Sequence, residues 1–188
     1  MGRILTLTGV SGSGKTTLAR MLIERVPGAA MVTSYTTRGA RASDVPGEYA
    51  YISNEYYEVM AEWGEFLRPF EHVGIRFGTK RKDIDAVLGA TMGIGIMMLL
   101  PTAMPALRTY LLSRGVLESH VPVFVLGPDD AGIRNRLARR GGEPRKIAQR
   151  IWDERGWESD ARTSGIPYSF VCNDGPIEAA YEQVRALV

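Results

Sequence analysis

Eight residues near the start of the chain, Gly9-Val10-Ser11-Gly12-Ser13-Gly14-Lys15-Thr16, satisfy G-x-x-x-x-G-K-[ST] at every fixed position. A loop of this composition turns successive backbone N–H groups onto a phosphate, because glycines accept the left-handed conformations the turn requires. The lysine reaches the outer phosphates, and the final hydroxyl is placed to hold Mg²⁺. The flanks agree: residues 3–8 read as a short apolar strand, and residues 17–25 carry Leu18, Met21 and Leu22 at helical spacing. The loop therefore opens a helix whose positive dipole end adds to the anion site. Gly9, Ser11, Gly12, Ser13, Gly14, Lys15, Thr16 and Thr17 are the expected contacts to a nucleoside triphosphate, with Thr16 on the metal.

Two further segments carry charge at suggestive spacing. Ser34-Tyr35-Thr36-Thr37-Arg38-Gly39-Ala40-Arg41 is polar, rich in hydroxyls and holds two arginines three residues apart. Arginine forks bind phosphate oxygens bidentately and hydroxyls fill the remaining acceptor positions, although such a run taken alone is more often a solvated loop. Farther on, Arg134, Arg136, Arg139, Arg140, Arg145, Lys146 and Arg150 crowd around Gly141-Gly142. A solvated basic face and a glycine-hinged flap over a transferring phosphoryl group both suit this cluster. His72 and His120 stand alone without ligand spacing, so a dedicated metal site is not expected, and His72 is a candidate for lining a pocket.

Around these segments the chain alternates strands and helices in the manner of a parallel α/β sheet with helices on both faces. Extended segments are expected at 30–33, 47–52, 65–73, 74–79, 93–100, 121–126 and 168–172. Helices are expected at 53–63, capped by Ser53 and stopped by Gly64, and at 80–88, 103–113, 131–139, 145–160 and after Gly175-Pro176. The run 93–100, with Ile94, Ile96, Met97, Met98, Leu99 and Leu100, has the composition of a central parallel strand buried on both faces. Residues 35–80 break the alternation and carry their own aromatics, Tyr49, Tyr51, Phe66, Phe70 and Phe77, as a small mixed α/β insertion closing over a ligand would.

At 188 residues and 45% hydrophobic content the chain suits one domain with a small insertion better than two domains. A formal charge of +2, from 23 basic against 21 acidic residues, neither demands nor excludes a nucleic-acid partner. The single cysteine, Cys172, rules out an internal disulfide and points to a reducing compartment; within an apolar run it is expected to be an inert core thiol. No apolar run approaches the ~20 residues of a membrane span, so a cytoplasmic protein is expected, its oligomeric state left open.

The order of parts resembles the guanylate kinase family over nearly the whole chain. The resemblance is carried by the loop 9–16, Ser34-x-Thr36-Thr37-Arg38-x-x-Arg41, Gly47-x-Tyr49, Gly64-Glu65-Phe66-Leu67 and Gly78-Thr79. It continues through Arg136-Leu137-x-x-Arg140-Gly141, Ile147-x-x-Arg150 and Val171-x-Asn173-Asp174. The family implies a P-loop NTPase-type sheet (core 1–34 and 81–188), an acceptor-binding insertion at 35–80 and a basic lid at about 136–150. It implies an ATP-dependent, Mg²⁺-using phosphotransferase in which Asn173 joins the ATP site and Lys15, Arg136, Arg140 and Arg150 serve catalysis. Ser34, Arg38, Arg41 and Tyr49 would grip the acceptor nucleotide's phosphate; Arg68, Phe70, Phe77 and Thr79 would complete the acceptor pocket, Arg68 and Thr79 toward the base and Phe77 where the family has a tyrosine hydroxyl on the phosphate.

The departures from the family pattern are specific. Arg68 stands where guanylate kinases carry the glutamate that accepts from guanine, and a guanidinium has only donors. Phe77 replaces a tyrosine, and Met97-Met98-Leu99-Leu100 replaces a strand end bearing an Asp-x-Asp pair. The expectation is thus a kinase for a nucleotide or nucleotide-like acceptor without standard GMP recognition. The alternatives are a kinase for a hydroxymethyl pyrimidine in DNA, with Glu65, Glu71 or Asp44 as general base, and a non-catalytic binding module of guanylate-kinase architecture.

Overall fold

Ile4, Leu5 and Leu7, together with Thr6 and Thr8, have no exposed surface, and this double-sided burial identifies the strand around which the other elements assemble. In the computed structural model, which describes residues 1–41, 44–72 (without the His72 side chain) and 74–188, that strand is β1 (Arg3–Thr8). It is followed by α1 (Lys15–Arg25), β2 (Ala29–Met31), β3 (Ser34–Thr36), β4 (Tyr49–Tyr51), α2 (Asn54–Glu62), β5 (Phe70–His72), β6 (Ile75–Thr79) and α3 (Arg81–Gly89). The second half holds β7 (Ile94–Met98), α4 (Met104–Ser113), β8 (His120–Leu126), α5 (Asp130–Arg139), α6 (Pro144–Glu154), α7 (Trp157–Thr163), β9 (Ser169–Cys172) and α8 (Ile177–Arg185).

The main sheet is parallel throughout, in the order β2-β7-β1-β8-β9, with Leu5 opposite Ile96 on one side and Val121 on the other. Side chains alternate between faces along a strand, so each face gathers its own core. On one, Leu5, Leu7, Val123 and Val125 meet Leu18 and Leu22 of α1 and Ala180, Tyr181 and Val184 of α8. On the other, Ile4, Val32 and Met97 meet Ile84 and Leu88 of α3 and Leu107 and Leu111 of α4. Buried Thr6 is satisfied by His120, Oγ1 to Nε2 at 3.0 Å. Burial, aided by the nearby Arg108, lowers that imidazole to about 4 and keeps it neutral. This packing delivers Gly9 from the carboxyl end of β1, beside the ends of β7 and β8, the edge at which open α/β sheets bind ligands.

A second, four-stranded sheet has the order β4-β3-β6-β5, with β3 parallel to β4 and antiparallel to β6. Its small core is Tyr57, Met60 and Phe66, with Tyr35 and Ile52 against them. The Ser53 hydroxyl accepts from the Tyr56 amide at 3.1 Å and starts α2.

Several expectations are corrected. The segment expected as a polar loop from Ser34 is an inner strand, β3, because neighbours on both sides satisfy its backbone. The helix expected over 145–160 is two, α6 and α7, parted at Arg155-Gly156, where glycine has the weakest helix preference short of proline. The extended run after Gly64 contracts to β5 behind Pro69, with Phe66 making only an isolated bridge to Lys80, and its far end, Val73, lies outside the described residues. The apolar run 93–100 leaves the sheet after Met98. Cys172, expected in the core, is exposed at the end of β9, an edge strand of the sheet.

Candidate active site

The phosphate loop is shaped by two glycines and braced from outside. Gly9 (φ 140°) and Gly14 (φ 105°) occupy left-handed backbone, and a Cβ on either would strike the Val125 carbonyl or the Asn173 side-chain amide. Asn173, only 2% exposed, donates Nδ2 to the Ser13 carbonyl at 2.6 Å. Arg136 donates to the Gly12 carbonyl at 3.3 Å and to the Asn173 carbonyl at 3.0 Å. Asn173 and Arg136, expected at ATP and in catalysis, direct these donors into holding the loop. Gly12 and Ser13 are buried, and Thr17 is half-buried in the first turn of α1.

Lys15 Nζ donates back to the Gly9 and Val10 carbonyls at 2.6 and 2.9 Å. Burial lowers its ammonium to about 8; Glu154 opposes the shift, while Arg140 and Arg150 reinforce it. Arg140 and Arg150 are exposed, and both lie near enough to act electrostatically on Lys15. Glu154, which nothing in the sequence singled out, places its carboxylate on Ser11: Oε1 accepts from the hydroxyl at 2.7 Å and Oε2 from the amide.

A pH dependence follows. A bound triphosphate returns counter-charge to Lys15 and raises its pKa, so above pH 8 binding must take up a proton, and affinity falls as pH rises through that range. Calorimetry at pH 8 to 9 in buffers of different ionisation enthalpy should register this uptake, and Lys15→Arg should remove it. Equal heats in all buffers would contradict the assignment.

The Thr16 hydroxyl faces only Met98 Sδ at 3.9 Å, a weak partner that leaves its oxygen available. Among the described residues no three His, Cys, Asp or Glu side chains converge as a metal site.

In the second sheet, register does the assembling. Ser34 pairs with Tyr49 on one side and Thr79 on the other, and Thr36 pairs with Tyr51 and Phe77. Residues two apart share a face, so Ser34, Tyr49, Phe77 and Thr79 stand together, with Phe70 stacked on Phe77 at 5.2 Å. Arg38, its side chain 7% exposed, lies 4.3 Å over the Tyr49 ring and donates to Asp44 Oδ1 at 2.7 Å and the Gly39 carbonyl at 2.8 Å. The other Asp44 oxygen accepts from the Arg41 amide at 2.9 Å and the Tyr51 hydroxyl at 2.6 Å. Burial pushes the Asp44 carboxyl up, but these bonds from Arg38, Tyr51 and the Arg41 amide outweigh it and bring it down to about 2. Burial, with Glu48 alongside, raises the Tyr49 phenol, which stays protonated.

The remaining candidates are scattered. Arg41 contributes its amide here while its side chain is exposed, apart from the Arg38 cluster. Arg68 reaches from the second sheet's side to the Thr102 carbonyl, in the 3-10 turn after β7. Glu65 pairs with Lys80 at 2.7 Å, which lowers its carboxyl, and Glu71 lies 3.6 Å from Arg76. Tyr51, Glu48 and Glu154 were missed. The alternation of β4 signals Tyr51, whereas Glu154 is one of two adjacent acids ending a helix with three basic residues, without any local mark.

The guanylate kinase family model matches residues 1–188, the whole chain. A guanylate kinase from Symbiobacterium thermophilum is 31% identical over 192 residues, covering 100% of this chain and 84% of that protein. Another, from Oleidesulfovibrio alaskensis, is 32% identical over 187 residues, covering 98% and 85%. The crystal structure of guanylate kinase from Anaplasma phagocytophilum shares the fold at a TM-score of 0.62, over 99% of this chain and 84% of that one, at 21% identity. With a braced phosphate loop, a second sheet bearing an enclosed arginine, and a family match from end to end, the chain belongs to the guanylate kinase family of ATP-dependent nucleotide kinases.

Proposed function

We propose that the chain transfers the γ-phosphoryl of ATP to a nucleoside monophosphate whose base is read by hydrogen-bond donors. Residues 35–80 serve as the acceptor-binding insertion and residues 136–150 as the lid of a single domain. Lys15, Arg140 and Arg150 neutralise the phosphoryl group in flight, and Mg²⁺ on Thr16 and the nucleotide phosphates supplies further charge neutralisation. Arg136 and Asn173 keep the loop in shape. Ser34, Arg38 and Tyr49 take the acceptor phosphate, with Arg41 at the rim. Phe70 and Phe77 flank the base, beside Thr79, and Arg68 offers the N–H groups that the Thr102 carbonyl does not engage to a carbonyl edge.

The observation that carries this reading is the state of the carboxylates. Asp44 is held by Arg38, Tyr51 and the Arg41 amide, Glu65 by Lys80, and Glu71 neighbours Arg76. A hydroxyl acceptor needs a carboxylate free to take its proton. A monophosphate brings its own anionic nucleophile and needs only alignment and charge neutralisation. The pre-built Arg38 site supplies the alignment, and Lys15 with the lid arginines the neutralisation.

A panel tests the acceptor. With labelled ATP and Mg²⁺, label should pass to one or more nucleoside monophosphates and not to hydroxymethylated DNA. Transfer to GMP alone would remove the role given to Arg68, transfer to modified DNA alone would favour a DNA base kinase, and no transfer would favour a binding module. A reducing, cytoplasmic setting accompanies this reading. No helix of the described residues is long and apolar enough to cross a membrane.

A further inference from the structure

Glu154 is the last residue of α6, and its carboxylate engages both the amide and the hydroxyl of Ser11. Inward-facing amides and hydroxyls of such a loop are the donors a phosphate oxygen takes. Ser11 stands in the loop four residues before α1, which begins at Lys15, so its donors are distinct from the amides of the helix start. The carboxylate also acts on Lys15, where its charge opposes the fields of Arg140 and Arg150. Ile147, packed with Ile133 and Leu137 and against Val10 of the loop, seats α6 so that its final residue lands there.

We infer that Glu154 is an internal occupant of the outer-phosphate subsite, a competing carboxylate that the terminal phosphate of ATP must expel. The inference rests on the donor site proposed above. When the terminal phosphate arrives, Ser11 and the cations exchange one anion for another, and the carboxylate leaves toward solvent. Once that phosphoryl group has passed to the acceptor, the carboxylate regains Ser11 over a diphosphate, which does not reach the subsite. Glu154 therefore weakens binding of triphosphate selectively and holds α6 against the loop in the absence of donor.

The test titrates wild type, Glu154→Gln and Glu154→Ala with ATP, ADP, tripolyphosphate and pyrophosphate in the absence of Mg²⁺, by calorimetry. Lys15→Ala serves as the control for binding at the loop. Loss of a competing charged hydrogen bond should tighten ATP and tripolyphosphate by about tenfold or more in both variants and leave ADP and pyrophosphate within about twofold. Amide exchange over 144–154 should also quicken in the nucleotide-free variants. A purely structural role for Glu154 would not raise affinity for any ligand. Unchanged or weaker ATP binding in both variants, or equal tightening of ATP and ADP, would overturn the inference. Binding by wild type that Lys15→Ala leaves intact, or no binding by any form, would instead bring down the donor site itself.

Discussion

Lys15→Ala is expected to abolish phosphoryl transfer to every acceptor, with kcat lowered by at least about 10²- to 10³-fold, the scale of losing one preorganised donor to transition-state charge. Two functions vanish with this side chain. Its ammonium draws the Gly9 and Val10 carbonyls together and so holds the mouth of the loop. It is also a cation held within the loop, partly buried and therefore strong against a developing anion. Because the acceptor pocket is built on a different sheet, acceptor binding should survive, and a direct titration of monophosphate onto the variant separates the two effects. Retention of more than about a tenth of wild-type kcat would remove Lys15 from the transfer step.

Asp44→Asn should produce the second large effect, on acceptor affinity and on stability together. Asp44 compensates Arg38 where both side chains are nearly enclosed, at 14% and 7% exposure. Removing one partner of such a pair leaves a charge without its counter-ion, at a cost of about 3–5 kcal/mol when burial is complete and less for these partly open groups. Arg38 should lose its pose over Tyr49, and the acceptor KM should rise by about tenfold or more. The folded carboxyl, at about 2, lies below its ordinary value of 3.8, so its stabilisation is full above about pH 4 and is lost as pH falls toward 2. Acid titration of the variant should lack that component. The same substitution separates the two kinase chemistries: a general base would show as a collapse of kcat at unchanged acceptor KM, and a holder of Arg38 as the reverse.

Local features were legible where a few neighbouring residues decide the matter. The loop 9–16, the Ser53 cap, the stop at Gly64 and the buried strand around Ile94–Met98 follow from nearby side chains and backbone preferences alone. The break between α6 and α7 shows the limit, because the weak helix preference of Gly156 permits a break without requiring one. Arg38 and Arg41 make the same point about the site. In sequence they are equivalent arginines three apart, and in the fold one is enclosed by Asp44 and Tyr49 while the other is exposed.

From residue types and spacing alone came the donor chemistry, the class of sheet and the list of cations able to handle phosphate, because each is a property of composition over a short span. Tertiary structure decided how those groups are used: that Arg136 and Asn173 brace the loop, that Asp44 holds an arginine, and that Glu154 lies on Ser11. The last contact joins residues 143 positions apart, and no local preference encodes it; only the packing of α6 over the loop brings that carboxylate to that amide.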